Sequence, residues 1–411
     1  MTTLKNLTKQ LASSPTAHFC IAPFQSTRQN AHGRTSPCAF GAGEWHLGSL
    51  TPSERWNSPE LNQLRQDFIS GNKPSECHRC WDEEESGKLS LRQRQYIYFP
   101  DDYDKFIKTG EWENGPKTAV FKSSNICNLA CRSCGGWDSN TFTKEGQYYA
   151  TLYNTKWESG KIGNRFIPLM QPIHMDFMQY KDIAGNLEKI DFFGGEPFLN
   201  ITQLSLLDYL VEKGLSKNIT LFYSTNCTNH PTDRLKRAWN NFKRVEISVS
   251  IDGVGKQFEY LRWPGKWTEA EQVLDHILSL KTTMDCEVYV MAGLTISLLN
   301  MWHTDEIHNW LQSRVGNVYI NMVTSPAYLS LHIAPPSIKL AVQQKVKHQE
   351  ILGYLNIKQH EPQSWKQFII WTKRQDLYRK QSLEDSLPEL FNLIKEDWDS
   401  ITDLSEENFN E

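Results

Sequence analysis

The sequence predicts an α/β fold, with a small cysteine-bearing segment in front of it and a helical region behind. Three observations carry that expectation. Six strand-like runs recur between residues 118 and 326, with amphipathic helical patterns between them. Such alternation builds parallel βα units. Glycines and polar residues stand at the carboxyl ends of these runs, where parallel α/β folds gather their sites. Residues 337–411 show helical spacing and no strand run.

Taken in order, "TAVFKSS" (118–124) is the first strand and leads into "SNICNLACRSCGG" (124–136). An insert, 135–186, follows. It is longer than one crossover helix needs and holds Trp137, Tyr148, Tyr149, Tyr153, Trp157, Phe166, Met170, Met175, Phe177, Met178 and Tyr180, a set suited to covering a substrate or to packing extra helices. "LEKIDFFGGEPFLN" (187–200) is the second strand, ending in Gly194, Gly195, Glu196 and Pro197. The helix pattern "ITQLSLLDYLVEKG" comes next, with Gly214 as its cap. "ITLFYSTN" (219–226) is the third strand and "RVEISVSIDG" (244–253) the fourth, followed by the helix "TEAEQVLDHILSLK". "CEVYVMAGLTIS" (286–297) and "NVYINMVTSP" (317–326) complete the set. Beyond them, Ser386-Leu-Pro-Glu389 reads as a capping box opening a helix. Residues 399–411 carry five acids and no Lys or Arg, which reads as a solvated tail.

Length and composition narrow the function. A chain of 411 residues suggests more than one structural unit. A formal charge of −4 gives no support to a nucleic-acid partner. The longest apolar run, 288–299, is too short for a membrane span, and the N-terminus has helical spacing (Leu4, Leu7, Leu11) without a signal-peptide core. These features predict a cytoplasmic protein. The nine cysteines then suggest metal or redox chemistry rather than disulfides.

Cys127, Cys131 and Cys134 form C-x3-C-x2-C with no fourth cysteine nearby. A closed structural site uses four protein ligands, and three thiolates leave one metal position open. A zinc site completed by a distant histidine shares the spacing. The stretch resembles the cluster loop of the radical S-adenosylmethionine (SAM) superfamily, although Ser133 stands where that family often has an aromatic residue. The resemblance implies a partial (β/α)6 barrel over residues 118–330. It implies a [4Fe–4S] cluster on the three cysteines, SAM on its open iron, and cleavage to methionine and a 5′-deoxyadenosyl radical. "GGEP" resembles the family's motif for the SAM amino group, with glycines for close backbone approach and Glu196 for the ammonium. Ser224, Thr225 and Asn226 at the third strand end, and Ser248, Ser250 and Asp252 on one face of the fourth, are the expected ribose-side contacts. Arg262 could bind a carboxylate or lie exposed. Cys227, at the same end, is the candidate hydrogen-atom donor, and Cys286 reads as a buried hydrophobe.

Ahead of the barrel stand Cys20, Cys38 after Gly33, and Cys77-x2-Cys80. Two ligands on a hairpin and two on a tight turn fit one four-ligand site, zinc or iron–sulfur. In order, "FCIAPF", the glycine, "LGSL", "RWNS" and C-x2-C resemble the SPASM/Twitch modules of radical SAM enzymes. The resemblance implies one auxiliary [4Fe–4S] cluster in residues 1–92, a module that normally follows the barrel. Residues 93–117 read as a linker and 331–411 as a helical region. The implied activity is hydrogen abstraction from a peptide or protein, with a flavodoxin- or ferredoxin-type electron donor and a separate leader-recognition protein. Two alternatives remain, a small-molecule dehydrogenase or rearrangement enzyme acting on an aminosugar or nucleotide, and a non-catalytic metal-stabilised scaffold.

Overall fold

The computed structural model describes residues 18–38, 45–85, 90–98, 100–110, 112, 115–136, 138–152, 161–162, 165–166, 174–355 and 361–405. The helix expected at Leu4–Leu11 lies outside them, as do Trp137, Tyr153, Trp157 and Met170 of the insert.

All six expected strands form: β3 (Thr118–Lys122), β6 (Lys189–Phe193), β7 (Thr220–Thr225), β8 (Arg244–Ser250), β9 (Glu287–Ile296) and β10 (Val318–Met322). Two more, β1 (Ser26–Asn30) and β2 (Thr35–Ser36), come from the N-terminal segment, and a separate hairpin pairs β4 (Lys161–Ile162) with β5 (Arg165–Phe166). The main sheet runs β10-β9-β8-β7-β6-β3-β1-β2, parallel throughout except for β2. It ends on β10 and β2 and does not close.

The two faces of the sheet differ in chemistry. One carries the row Phe121, Phe192, Tyr223, Ile247 and Val290, paired in register across five strands and buried in the main core. Burying each such side chain stabilises by about 1.5–3 kcal/mol, so this face decides which side the helices cover. The neighbouring register row, on the other face, runs Arg28, Val120, Asp191, Phe222, Glu246 and Tyr289. Here Lys189 lies 3.3 Å from Asp191 and 3.8 Å from Glu246. Parallel sheets are usually apolar on both faces. Alternation in this one leaves an inner face that mixes charged and polar side chains with apolar ones.

The N-terminal segment departs from the expected separate module. β1 reads "STRQN", with no apolar signal, yet all five residues are buried because the strand pairs with β3. The segment expected to be a linker forms helices Leu91–Tyr98 and Pro100–Thr109. The latter packs Tyr103 and Phe106 on Phe19 and Phe24 in a second, smaller core. In that core the Phe19 and Phe106 rings stack at 4.6 Å.

The C-terminal region is helical, as expected, but two details differ. The capping box at Ser386 does not form: Ser386 ends a short helix capped by Ser382, and Pro388–Ser400 starts after Leu387 without a side-chain cap. The start of the acidic tail is also fastened. Lys373 donates to the Ile401 carbonyl at 2.7 Å, and Arg374 Nε donates to the Leu404 carbonyl at 2.8 Å. Among the described residues, no helix is long and apolar enough to cross a membrane.

Candidate functional site

The cysteine loop leaves the carboxyl end of β3 and is fastened on three sides. Glu196 N donates to the Ile126 carbonyl at 2.7 Å, Ala130 N to the Trp263 carbonyl at 2.7 Å, and Arg132 N to the Leu261 carbonyl at 2.8 Å. Gly194 and Gly195 have φ of +81° and +56°, which favours glycine. A Cβ at Gly195 would lie 2.2 Å from the Ile126 carbonyl oxygen. This glycine pair therefore packs closely against the protein's own cysteine loop.

Glu196 is fully buried, and its carboxylate is occupied by the chain. Oε1 accepts from the Thr225 hydroxyl at 2.8 Å and the Phe198 N–H at 3.1 Å, and Oε2 accepts from the Asn226 N–H at 2.7 Å. Burial pushes its pKa up to about 7, against the pull of these three donors. The turn after β6 is thus tied to the turn after β7. Asn226 in turn points its amide at Cys127 Sγ, 3.6 Å away, and at Asn128 Oδ1, 2.9 Å away.

The three thiols are close enough that each, if ionised, would be repelled by a neighbour. Burial, with the neighbouring Cys131, pushes Cys127 up to about 12; burial with Asp138 and the other two thiols raises Cys134, and burial raises Cys131 against the pull of Arg262. The nearby cation is Arg262, with Nη1 4.0 Å from Cys131 Sγ and Nη2 2.6 Å from Asp252 Oδ2. Of the two options for Arg262, the buried one is realised, at 7% exposure. Asp252 also accepts from Thr295 N at 2.9 Å, so it holds the arginine in place.

The expected ribose-side residues divide. Ser224 and Ser250 lie half-buried on the inner face, with hydroxyls 3.5 Å apart. Ser248 is buried and shares a 2.7 Å hydrogen bond with the Tyr319 hydroxyl of β10. Gly293 on β9 makes that contact possible, because a Cβ there would lie 2.8 Å from the Tyr319 hydroxyl. Thr225 and Asp252 are committed to Glu196 and Arg262. Sequence reasoning missed Tyr319, whose only signal was a glycine in the strand beside it.

Cys227, the candidate hydrogen donor, lies on the turn after β7 and faces the core. Its thiol is fully buried in the helix-side core, 3.7 Å from the Ala270 carbonyl, on a backbone at φ +61° that non-glycine residues rarely adopt. The turn's geometry, not substrate access, places it. Several insert aromatics are likewise core. Phe177 and Tyr180 are buried, with Tyr180 donating to Gln29 at 2.6 Å, and Tyr149 donates to Glu145 at 2.9 Å.

The second set converges as well. Cys20, Cys38, Cys77 and Cys80 line one cavity of about 260 Å³, and each of the other three raises the pKa of Cys20. The expected hairpin, β1–β2, separates Cys20 from Cys38; Cys77 ends the 3-10 turn Ser75–Cys77 and Cys80 lies in the first turn of the helix His78–Glu85 that follows it. Thr324, just beyond β10, lines the same cavity. The segment attached to one edge of the sheet therefore reaches the other edge. A groove of about 640 Å³ continues from there past His78, Arg79 and Thr324 to His332, Tyr354 and Glu361.

Donor chemistry fits iron–sulfur binding at both places, three thiols in one and four in the other. Among the described residues, no three His, Cys, Asp or Glu side chains stand at ready-made metal-ligating geometry. Leu129 N donates to Cys127 Sγ at 3.5 Å, and the Cys134 thiol lies 3.9 Å from the Gly135 carbonyl.

No family model and no curated protein matches the chain. Among solved structures, it is similar to anSMEcpe with bound AdoMet, at TM-score 0.31 and 14% identity, covering 64% of this chain and 62% of that one. It is similar to Streptococcus suis SuiB bound to precursor peptide SuiA, at TM-score 0.32 and 11% identity, covering 77% and 64%. It is also similar to TYW1 with a lysine-pyruvate adduct, at TM-score 0.28 and 12% identity, covering 66% and 88%. The chain spans less than two thirds of the length of the first two. Overlaps of this kind assign neither an activity nor a substrate.

Proposed function

We propose that the protein is a radical SAM enzyme, an iron–sulfur oxidoreductase of the peptide-modifying type. One observation carries the reading: a single loop brings three thiols together at the carboxyl end of a parallel sheet, against the GGEP turn and the Arg262 guanidinium. Cys127, Cys131 and Cys134 would hold a [4Fe–4S] cluster with one open iron. If bound and reduced there, such a cluster would supply the one electron that splits the C5′–S bond of SAM, with methionine as the leaving group and the 5′-deoxyadenosyl group left to take a hydrogen atom from the substrate.

The chain's own residues have separate tasks. Arg262, fixed by Asp252, presents a cation beside Cys131 and is the group suited to a carboxylate. Glu196 holds the Asn226 turn so that its amide stays next to Cys127, and acts on SAM through that turn. Ser224 and Ser250 offer hydroxyls on the inner face of the sheet. Cys20, Cys38, Cys77 and Cys80 would hold an auxiliary [4Fe–4S] cluster, and the electron for the first cluster comes from an external flavodoxin or ferredoxin.

A peptide or protein substrate is supported by the shape of the site region. The sheet ends on β10 and β2 without closing, and a groove of about 640 Å³ lies beside the quartet. Tyr149, Phe177 and Tyr180 belong to the core, so among the described residues that groove is the candidate recognition surface.

The deciding experiment is anaerobic incubation of the reconstituted enzyme with SAM and a strong reductant. 5′-Deoxyadenosine and methionine should form, and the Cys127/Cys131/Cys134 triple alanine variant should form none. Zinc in the triplet, or no cleavage by wild type, rejects the reading. A low-molecular-weight metabolite filtrate that accelerates deoxyadenosine formation would replace the peptide with a small molecule.

A further inference from the structure

Arg132 lies between Cys131 and Cys134 in sequence, and its side chain is fully buried. Its guanidinium lies 3.6 Å from the centre of the Tyr260 ring, and Nε donates to the Tyr260 carbonyl at 2.9 Å. Nη1 donates to Gln375 Oε1 at 3.3 Å, and Nη2 donates to Asp376 Oδ1 at 2.6 Å and Gln381 Oε1 at 3.1 Å. Three of these partners lie in or just after the C-terminal helix Pro362–Arg379. The other Asp376 oxygen accepts from Leu383 N at 2.9 Å.

One turn along that helix, Arg379 makes a second buried pair, with Nε and Nη2 3.0 and 2.9 Å from Glu145 Oε2. Glu145 belongs to the helix Phe142–Leu152, which follows the cysteine loop. Its other oxygen accepts from Tyr149. One face of the C-terminal helix therefore grips the loop at residue 132 and again just beyond it.

A buried ion pair is weak support for net stability, because desolvation offsets its attraction. What a planar, multiply bonded arginine does provide is a fixed orientation. We propose that Arg132 and Asp376 are positioning residues for the cysteine triplet, and that docking of the C-terminal helix sets the loop conformation in which a bound cluster presents its open iron to SAM. This rests on the radical SAM reading of the triplet.

The test uses the full chain, reconstituted anaerobically and reduced, with electron paramagnetic resonance recorded while SAM is titrated. Wild type should show a SAM-induced change in the cluster signal. Asp376→Asn and Arg132→Lys should need at least tenfold more SAM for that change, whereas Asp376→Glu, which keeps the charge, should stay within threefold. Lys373→Ala is the control for simple loosening of the same helix, because Lys373 holds the Trp398 and Ile401 carbonyls and lies 4.9 Å from the centre of the Trp398 ring, and it should leave the titration unchanged. In the apoprotein, amide exchange over residues 127–136 should quicken at least tenfold in Asp376→Asn and not in Lys373→Ala, a readout that still decides if an Arg132 variant does not fold. A wild-type chain that binds no cluster on the triplet overturns the site reading and this proposal with it. A SAM-responsive wild type matched by Asp376→Asn in both measurements overturns the positioning role alone.

Discussion

The carboxylate of Glu196 accepts the backbone N–H of Asn226 at 2.7 Å, joining the turns that follow two neighbouring strands. Thr225 and Phe198 donate to the same carboxylate, and all of this is buried. Removing the acceptor strands three donors at a cost of about 1–3 kcal/mol for each one left unsatisfied. Glu196→Ala is therefore expected to lower apoprotein stability by about 3 kcal/mol or more in urea unfolding. An unchanged unfolding midpoint would show that the carboxylate does not hold these turns.

The same group gives the apoprotein a defined pH response. Burial raises Glu196 from an ordinary value of 4.5 to about 7, so between those values the folded chain binds a proton that the unfolded chain has lost. Stability from this group is full below about pH 4.5 and declines as pH rises towards 7. Glu196→Gln should flatten that part of the stability profile. A profile between pH 4.5 and 7 that is superimposable on wild type would contradict the assignment.

Two cysteine sites should be separable by metal content. If each holds a cubane, reconstituted protein carries about eight irons and the triplet alanine variant about four. Changing Cys77 and Cys80 to alanine should remove the other four. Zinc in the quartet, measured by elemental analysis, would exclude the auxiliary iron–sulfur cluster.

Gly293 and Tyr319 should be energetically coupled. Alanine at 293 would press a methyl group against the Tyr319 hydroxyl and the Ser248 oxygen, 2.8 and 3.3 Å away. Overpacking of this kind costs about 1–3 kcal/mol. Gly293→Ala should be destabilising in wild type and much less so beside Tyr319→Ala. Additive effects in the double variant would mean the two positions do not meet.

Truncation should discriminate within the acidic tail. Ending the chain after Ser405 removes none of the contacts described above and should leave the melting temperature unchanged. Ending it after Trp398 deprives Lys373 and Arg374 of the Ile401 and Leu404 carbonyls. Hydrogen bonds to charged donors are worth about 1.5–3 kcal/mol each, so a clear drop in stability is expected. Equal melting temperatures for the two truncations would restore the view of a wholly solvated tail.

The sequence by itself determined the local and periodic features. The six strands of the βα series follow from apolar alternation and from glycine and polar stops, because a period of two residues places every second side chain on the helix-covered face. The cysteine triplet could be read from spacing alone, since it lies on one short loop, whereas the quartet is brought together across a hairpin and two helices. Tertiary structure decided what depends on partners distant in the chain. β1 is a strand only because β3 offers it a ladder, and its polar residues give no local signal. The glycines of GGEP let the turn pack against Ile126, and Glu196 is bonded to the next strand's turn. Cys227 is turned into the core by a backbone conformation that its side chain does not favour. Arg132 meets Asp376 across 244 positions, and Tyr319 meets Ser248 across 71. Contacts of that separation form only when the whole sheet and its helices are assembled, so no window of sequence contains them.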